Sequence, residues 1–222
     1  MKRMTRLLDI GITQMTNIII GMAEIGESAV IKAIEAYEKG AEPGREIFDT
    51  SEKLRMLQEE ASELAVELFA RYQPVASDLR FIKSCMEISY ALSRYGRYAY
   101  DIVDTIDTMG SIERCDKSAV VEMADIATKM IQLSVTALRT QDKDAAKRLY
   151  EMDDSVDALF RKFLRQSITP KGKKGSNKIA SDPRCFASNL LTLRYLERIS
   201  DHACYIGDSV HYAVTGETSP RD

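Results

Sequence analysis

What this chain lacks narrows it quickly. It has two histidines, His202 and His211, and four cysteines, Cys85, Cys115, Cys185 and Cys204, none in C-x-x-C spacing. That spacing gives no support to a zinc ribbon or a thioredoxin-type redox site. Four dispersed thiols without a framework read as free cysteines in a reducing cytoplasm. No glycine-rich phosphate loop, G-x-S-x-G or H-E-x-x-H occurs, so most familiar enzyme classes have no starting point. No apolar run approaches the roughly 18 residues of a membrane span. The basic start, Met1 to Arg6, soon meets Asp9 without a small-residue cleavage site, which argues against a secretory signal. A basic excess is also missing: 31 Lys and Arg stand against 34 Asp and Glu, a net charge of −3. A nucleic-acid partner is therefore not expected.

What remains is an ordinary globular balance, 45% apolar and 29% charged over 222 residues. That length suffices for one domain or two small ones with a real core. Alternating β-branched runs are nearly absent, so no sheet is expected. From about Thr5 to Gly40, Leu8, Ile12, Met15, Ile19, Met22, Gly26, Ala29 and Ala33 recur at steps of four and three. This is the seam of a long helix packing at shallow angles. Pro43 opens a second helix carrying Leu54, Leu57, Ala61, Leu64 and Leu68, and Pro74 ends it. A third carries Ile88, Leu92, Tyr95, Ala99, Ile102, Ile106 and Met109 up to Gly110. The pattern then restarts, predicting helices over about 116–140, from near 144, and after a basic loop containing Lys171, Lys173 and Lys174. Short connections make neighbours antiparallel. A helix of this length reaches about 50 Å at about 1.5 Å per residue.

The chain also repeats itself. Val75-Ala76-Ser77-Asp78-Leu79-Arg80 matches Ile179-Ala180-Ser181-Asp182-Pro183-Arg184, and further on Leu92, Arg94, Ala99, Ile102 and Asp104 meet Leu196, Arg198, Ala203, Ile206 and Asp208. The second and fifth helices align through Leu54 with Val156 and Leu57 with Leu159. The expected organisation is two three-helix halves, 1–110 and 111–222, packed together.

These motifs carry a resemblance. Gln73 to Arg80, followed by Leu92-Ser93-Arg94-Tyr95-Gly96-Arg97, resembles the PhoU family of phosphate-signalling regulators. Leu196-Glu197-Arg198-Ile199-Ser200-Asp201-His202-Ala203 is close to that family's L-E-R-I-G-D-x-A signature, and Val210 to Glu217 is similar to its ending. Tyr205 departs from the pattern, where the family often has Asn. The resemblance implies an all-α fold of two pseudo-symmetric three-helix bundles.

The chemistry-bearing feature is acidic. Asp153 and Asp157 share one helix face, as do Glu197 and Asp201, whose stripe continues through Cys204, Asp208 and His211. Like charges at this spacing cost a few tenths of a kcal/mol, which a bridging cation offsets; carboxylates suit Mg, Mn, Fe or Zn. A solvated acidic face is the plainer reading. The resemblance implies the metal reading, since PhoU-like proteins bind ions through (E/D)-x-x-x-D pairs, in some members as iron or zinc clusters. By motif it assigns Asp153, Asp157, Glu197 and Asp201, with Cys204 and His211 read as packing or surface residues. In the first half the matching positions are Ser51, Arg55, Ser93 and Arg97, so divalent or iron/zinc ions are expected in the second half only. Arg55 and Arg97 are expected to pair with Glu59, Asp101 or Asp104, or to contact an anion or partner. The Asp78-Leu79-Arg80 and Asp182-Pro183-Arg184 turns read as structural, with Asp182 capping the last helix and Pro183 at its first position. The three loop lysines read as a solvated turn, or as a contact for phosphate headgroups or an acidic partner.

The resemblance implies a non-catalytic cytoplasmic protein that restrains phosphate uptake and phosphate-starvation signalling. Its implied partners are the ATPase of a phosphate ABC transporter and a membrane sensor kinase. Small-residue seams such as Gly26 to Ala33 allow close helix approach, within the fold or in a homodimer. An accessory subunit of an ion-coupled phosphate permease is the alternative within the superfamily. A di-metal carboxylate oxidase or storage bundle needs Glu-x-x-His on two helices, and this chain has no such element.

Overall fold

The computed structural model describes residues 7–40, 43–168 and 182–219. They form α1 (Leu7–Lys39), α2 (Gly44–Tyr72), α3 (Ala76–Met109), α4 (Ser118–Thr140), α5 (Ala145–Ile168) and α6 (Pro183–Thr215). No strand occurs among the described residues, and the fold is all-α. Met1 to Arg6, the loop lysines 171, 173 and 174, and the Ile179-Ala180-Ser181 stretch lie outside the described residues.

Punctuation in the chain sets the helix ends. Gly40, Gly110 and Gly216 follow α1, α3 and α6 with φ of +73°, +71° and +82°, a conformation that glycine adopts without steric cost. Asp182 caps α6 by accepting the Arg184 N–H, and Pro183 stands at the first position. The matching motif in α3 behaves differently. That helix starts at Ala76 after an uncapped Val75, so Asp78 lies inside the first turn. Pro183 forces the later start of α6, because a proline deeper in the helix would leave a carbonyl unpaired and clash with it. Leu79 imposes no such limit.

Four helices form the centre. α1 and α3 lie against α4 and α6, α2 covers α1 and α3, and α5 covers α4 and α6. The seam residues Met15, Ile19, Met22, Gly26, Ala29 and Ala33 are all buried. Buried positions of α4 repeat those of α1 at a spacing of 101: Met123, Ala124, Ala127, Met130, Ile131 and Ser134 stand where α1 has Met22, Ala23, Gly26, Ala29, Val30 and Ala33. α2 lies so close to α3 that a Cβ on Gly96 would fall 3.2 Å from the Ser51 Cα.

α3 and α6 run antiparallel along an aromatic contact. Tyr98 stacks on Tyr195 with ring centroids 6.2 Å apart. His202 packs among Tyr90, Tyr98 and Tyr205. Burial, helped by the nearby Arg94 and Arg198 charges, pushes the His202 imidazole down to about 4, so the ring is neutral at pH 7.

At the end where α1 and α3 finish, polar groups tie the halves together. The Tyr37 hydroxyl donates to Asn189 Oδ1 at 2.7 Å and lies 3.1 Å from Ser188 Oγ. The Asn189 amide donates to the Asp116 carbonyl at 2.8 Å. Lys117 Nζ donates to the Tyr37 and Glu38 carbonyls at 2.6 and 3.1 Å, placing a cation at the negative end of α1.

One expectation is corrected at this end. The cysteines are not four free thiols: Cys115 and Cys185 form a disulfide, with Cα atoms 5.3 Å apart. The bridge joins the α3–α4 connection to the first turn of α6, across a sequence separation of 70. Spacing along the chain could not show it, because the two residues meet only once α4 and α6 pack side by side. Cys85 and Cys204 are free and buried. Thiol titration of the denatured protein should find two thiols without reductant and four with it; four in both conditions would rule the bridge out. Reduction should lower unfolding stability by at most about 4 kcal/mol, the loop-closure value for a loop of this length.

Candidate metal centre

Asp153 and Asp157 stand one turn apart on α5, and Glu197 and Asp201 one turn apart on α6. The two helices pack directly on each other and run in opposite directions, so the four carboxylates face one another across their contact. Each field is felt by the others. Burial, then the charges of Asp201, Asp157 and Glu197, push the Asp153 carboxyl up to about 6. Burial is also the main cause raising Glu197 and Asp201. Asp153 Oδ1 is buried without a hydrogen-bond partner.

Arginines occupy the other three carboxylates. Arg194 Nη1 donates to both oxygens of Glu197 at 2.5 and 2.6 Å. Arg198 Nη1 donates to Asp201 at 3.4 Å and Arg161 Nη1 to Asp157 at 3.0 Å. As the side chains stand, no three acidic, histidine or cysteine groups are gathered closely enough to hold an ion, among the described residues. Pairing the carboxylates with one another misses these arginines, although Arg194, Arg198 and Arg161 lie three or four residues from their partners. The same helical spacing rule would have found them.

The donor set nevertheless suits a hard or borderline cation: four carboxylates, one with an orphaned buried oxygen, across two packed helices. The arginine contacts are partly exposed (Arg161, Arg194 and Arg198 side chains retain 57%, 41% and 44% of their accessible area). The exposed Arg161–Asp157 pair is worth under about 1 kcal/mol, whereas Arg194 grips both oxygens of a Glu197 side chain that is only 13% exposed. The remaining members of the stripe are engaged elsewhere. Cys204 is buried in the core, the Tyr150 hydroxyl donates to Asp208, and His211 Nδ1 lies 2.8 Å from the Lys143 carbonyl.

The first half presents the inverse. Arg55 bridges Glu52 and Glu59 at 3.2 and 2.6 Å on α2, and Arg97 pairs with Asp101 at 3.1 Å on α3. Both guanidiniums are thus taken by carboxylates of their own helix. Ser93 Oγ donates to the Tyr90 carbonyl.

A family model described as "PhoU domain" matches residues 19–106 and again 120–210. A Methanothermobacter thermautotrophicus protein named phosphate-specific transport system accessory protein PhoU homolog 1 is 31% identical over 156 residues, covering 69% of this chain and 68% of the relative. A Pseudomonas aeruginosa protein named phosphate-specific transport system accessory protein PhoU homolog is 31% identical over 198 residues, covering 85% and 75%. The crystal structure of PhoU from Pseudomonas aeruginosa superposes with a TM-score of 0.82 at 25% identity, covering 94% of this chain and 99% of that one.

The raised Asp153 has a consequence that can be measured. A carboxyl whose folded value exceeds its unfolded value holds its proton more tightly when folded. Asp153 therefore favours folding at low pH, and that contribution is lost as pH rises from about 4 to about 6. Asp153→Asn should stabilise the chelator-treated protein at pH 7.5 by on the order of 1 kcal/mol, allowing for solvent screening. The gain should shrink towards pH 4.5 in thermal melts. An equal effect at both pH values would show that charge repulsion is not the cause.

Proposed function

The chain belongs to the PhoU family, and on that footing we propose that it is a phosphate-transport accessory protein that restrains uptake and phosphate-starvation signalling without catalysing a reaction. The observation that carries this reading is the double match of the family model, residues 19–106 and 120–210, on a frame that superposes along nearly its whole length on a PhoU crystal structure. In this reading residues 1–110 and 111–222 are the two three-helix repeats. The partner is the cytoplasmic ATPase of a phosphate ABC transporter, or a membrane sensor kinase. No described helix is long and apolar enough to cross a membrane. The Cys115–Cys185 bridge is the observation that pulls against a strictly reducing compartment.

The metal assignment belongs to the same proposal. Asp153, Asp157, Glu197 and Asp201 would receive a hard or borderline cation, such as a divalent or iron ion, after Arg194, Arg198 and Arg161 turn away. A bound ion would tie α5 to α6 and rigidify the second repeat. The support is the orphaned Asp153 oxygen and the mutual repulsion of the four carboxylates.

Elemental analysis of natively purified protein should find a stoichiometric ion, lost in Glu197→Ala/Asp201→Ala. Ions retained in that double variant would move the site elsewhere, and none in the native protein would remove the metal from the account. A tagged chain should retain the transporter ATPase from cells grown in high phosphate. Failure to retain it at high and low phosphate alike would overturn the partner assignment.

A further inference from the structure

Opposite the Tyr37 lock, at the end where α1 and α3 begin and α4 and α6 finish, a cavity of about 350 Å³ opens to solvent. That volume falls within the usual range of small-molecule sites, about 300–1,000 Å³. Its wall is largely apolar, formed by Ile12, Ile19, Phe81, Ile88, Val210 and Val214. Thr16, Ser77, Asp78, Arg80, Ser84 and Gln141 bring polar groups to it, and two of these hold buried atoms without a hydrogen-bond partner. Ser84 is 1% exposed and its hydroxyl has no hydrogen-bond partner. The Arg80 Nε–H is likewise buried and unpartnered, and Arg80 forms no ion pair among the described residues. Its side chain lies along the last turn of α6, where a Cβ on Gly216 would fall 3.3 Å from Nε.

The opposite end of the molecule shows what such a site looks like when filled. At the repeat spacing of 104, Ser84 and Arg80 correspond to Ser188 and Arg184. There the fully buried Tyr37 brings its hydroxyl to 3.1 Å from Ser188 Oγ. Arg184 is engaged as well, with Nη2 at 3.2 Å from Asp182 Oδ2. At the spacing of 101 that aligns buried α1 with buried α4, the residue corresponding to Tyr37 is Leu138. Leu138 lines the cavity but brings no polar atom to Ser84. One end is thus closed by a phenol of the chain itself, and the other retains the serine, a free guanidinium N–H and the space.

We propose that this cavity binds a small aromatic acid, an apolar ring with a carboxylate or phosphate head. The ring occupies the apolar wall; at the far end the Tyr37 ring is likewise buried. The head accepts hydrogen bonds from Arg80 Nε–H and the Ser84 hydroxyl, groups whose burial without partners is costly. Water alone could satisfy Ser84 but gains nothing from the apolar wall. The site is separate from the α5–α6 carboxylates and includes the Asp78-Leu79-Arg80 turn, which the accessory function leaves without a role.

The test is titration of the full-length protein with phenyl phosphate and with benzoate, following Ile and Val methyl resonances by NMR. Inorganic phosphate and benzyl alcohol are the controls. Expected is saturable binding with a dissociation constant below about 1 mM, shifting Ile19, Ile88 and Val210 methyls. The phosphate and benzoate arms decide which head is preferred, and each control should bind at least about tenfold more weakly. Arg80→Gln should weaken binding by about tenfold or more. Leu138→Tyr, which supplies the missing phenol, should abolish binding with an unchanged or higher melting temperature. If Leu138→Tyr does not fold, the Arg80→Gln titration decides. No saturation by about 10 mM of either aromatic acid would overturn the proposal. So would Arg80→Gln lowering the melting temperature with affinity unchanged, since Arg80 would then serve only the negative end of α6.

Discussion

The antiparallel contact of α3 with α6 is the constraint on which the rest of the molecule depends. It is the most extensive helix pairing in the fold, and it packs Tyr98 and Tyr195 in a stack beside a buried, neutral His202. Because the two helices run in opposite directions, the start of each lies at the end of the other. That places the Asp78-Leu79-Arg80 turn beside the last turn of α6, and the start of α6 beside the Tyr37 turn of α1. It also leaves one long face of each helix free for a covering partner, α2 on α3 and α5 on α6. The carboxylates of the second half occupy one such covered seam. The Ser/Arg positions of the first half occupy the other.

A shared frame with different contents is what this arrangement makes possible. Buried positions of α1 and α4 coincide residue for residue at a fixed spacing, so the backbone scaffold tolerates wide differences at partly exposed positions. On the α5–α6 seam those differences collect negative charge around a buried Asp153 oxygen. On the α2–α3 seam they place guanidiniums that find carboxylates on their own helices. The ends differ in the same manner. Tyr37 closes one with hydrogen bonds to Ser188 and Asn189, whereas Leu138 leaves the other open above Ser84.

Much of the fold was legible from local physics. Heptad steps located the helices, and glycine and proline located their ends within a few residues. Asp182 and Pro183 announced the cap of α6, and the observed hydrogen bond to Arg184 N is the one that cap requires. The site was legible only in part. Spacing puts each carboxylate pair on one face, and it also puts Arg161, Arg194 and Arg198 within reach of the same oxygens, for which they compete. The two turns that looked alike also diverged, because a single Leu-to-Pro difference moves the start of α6 past Asp182, whereas α3 begins before Asp78.

Sequence by itself therefore determined the period, the number of helices and the duplication, since each follows from residues within one helical turn or from chain order. Tertiary structure decided what lies between helices. The Cys115–Cys185 bridge spans 70 residues, and Tyr37 meets Ser188 across 151. The neutral state of His202 comes from burial among rings of α3 as well as its own helix. Such contacts have no signature along the chain, because a helix specifies which residues share a face but not which other face will cover it.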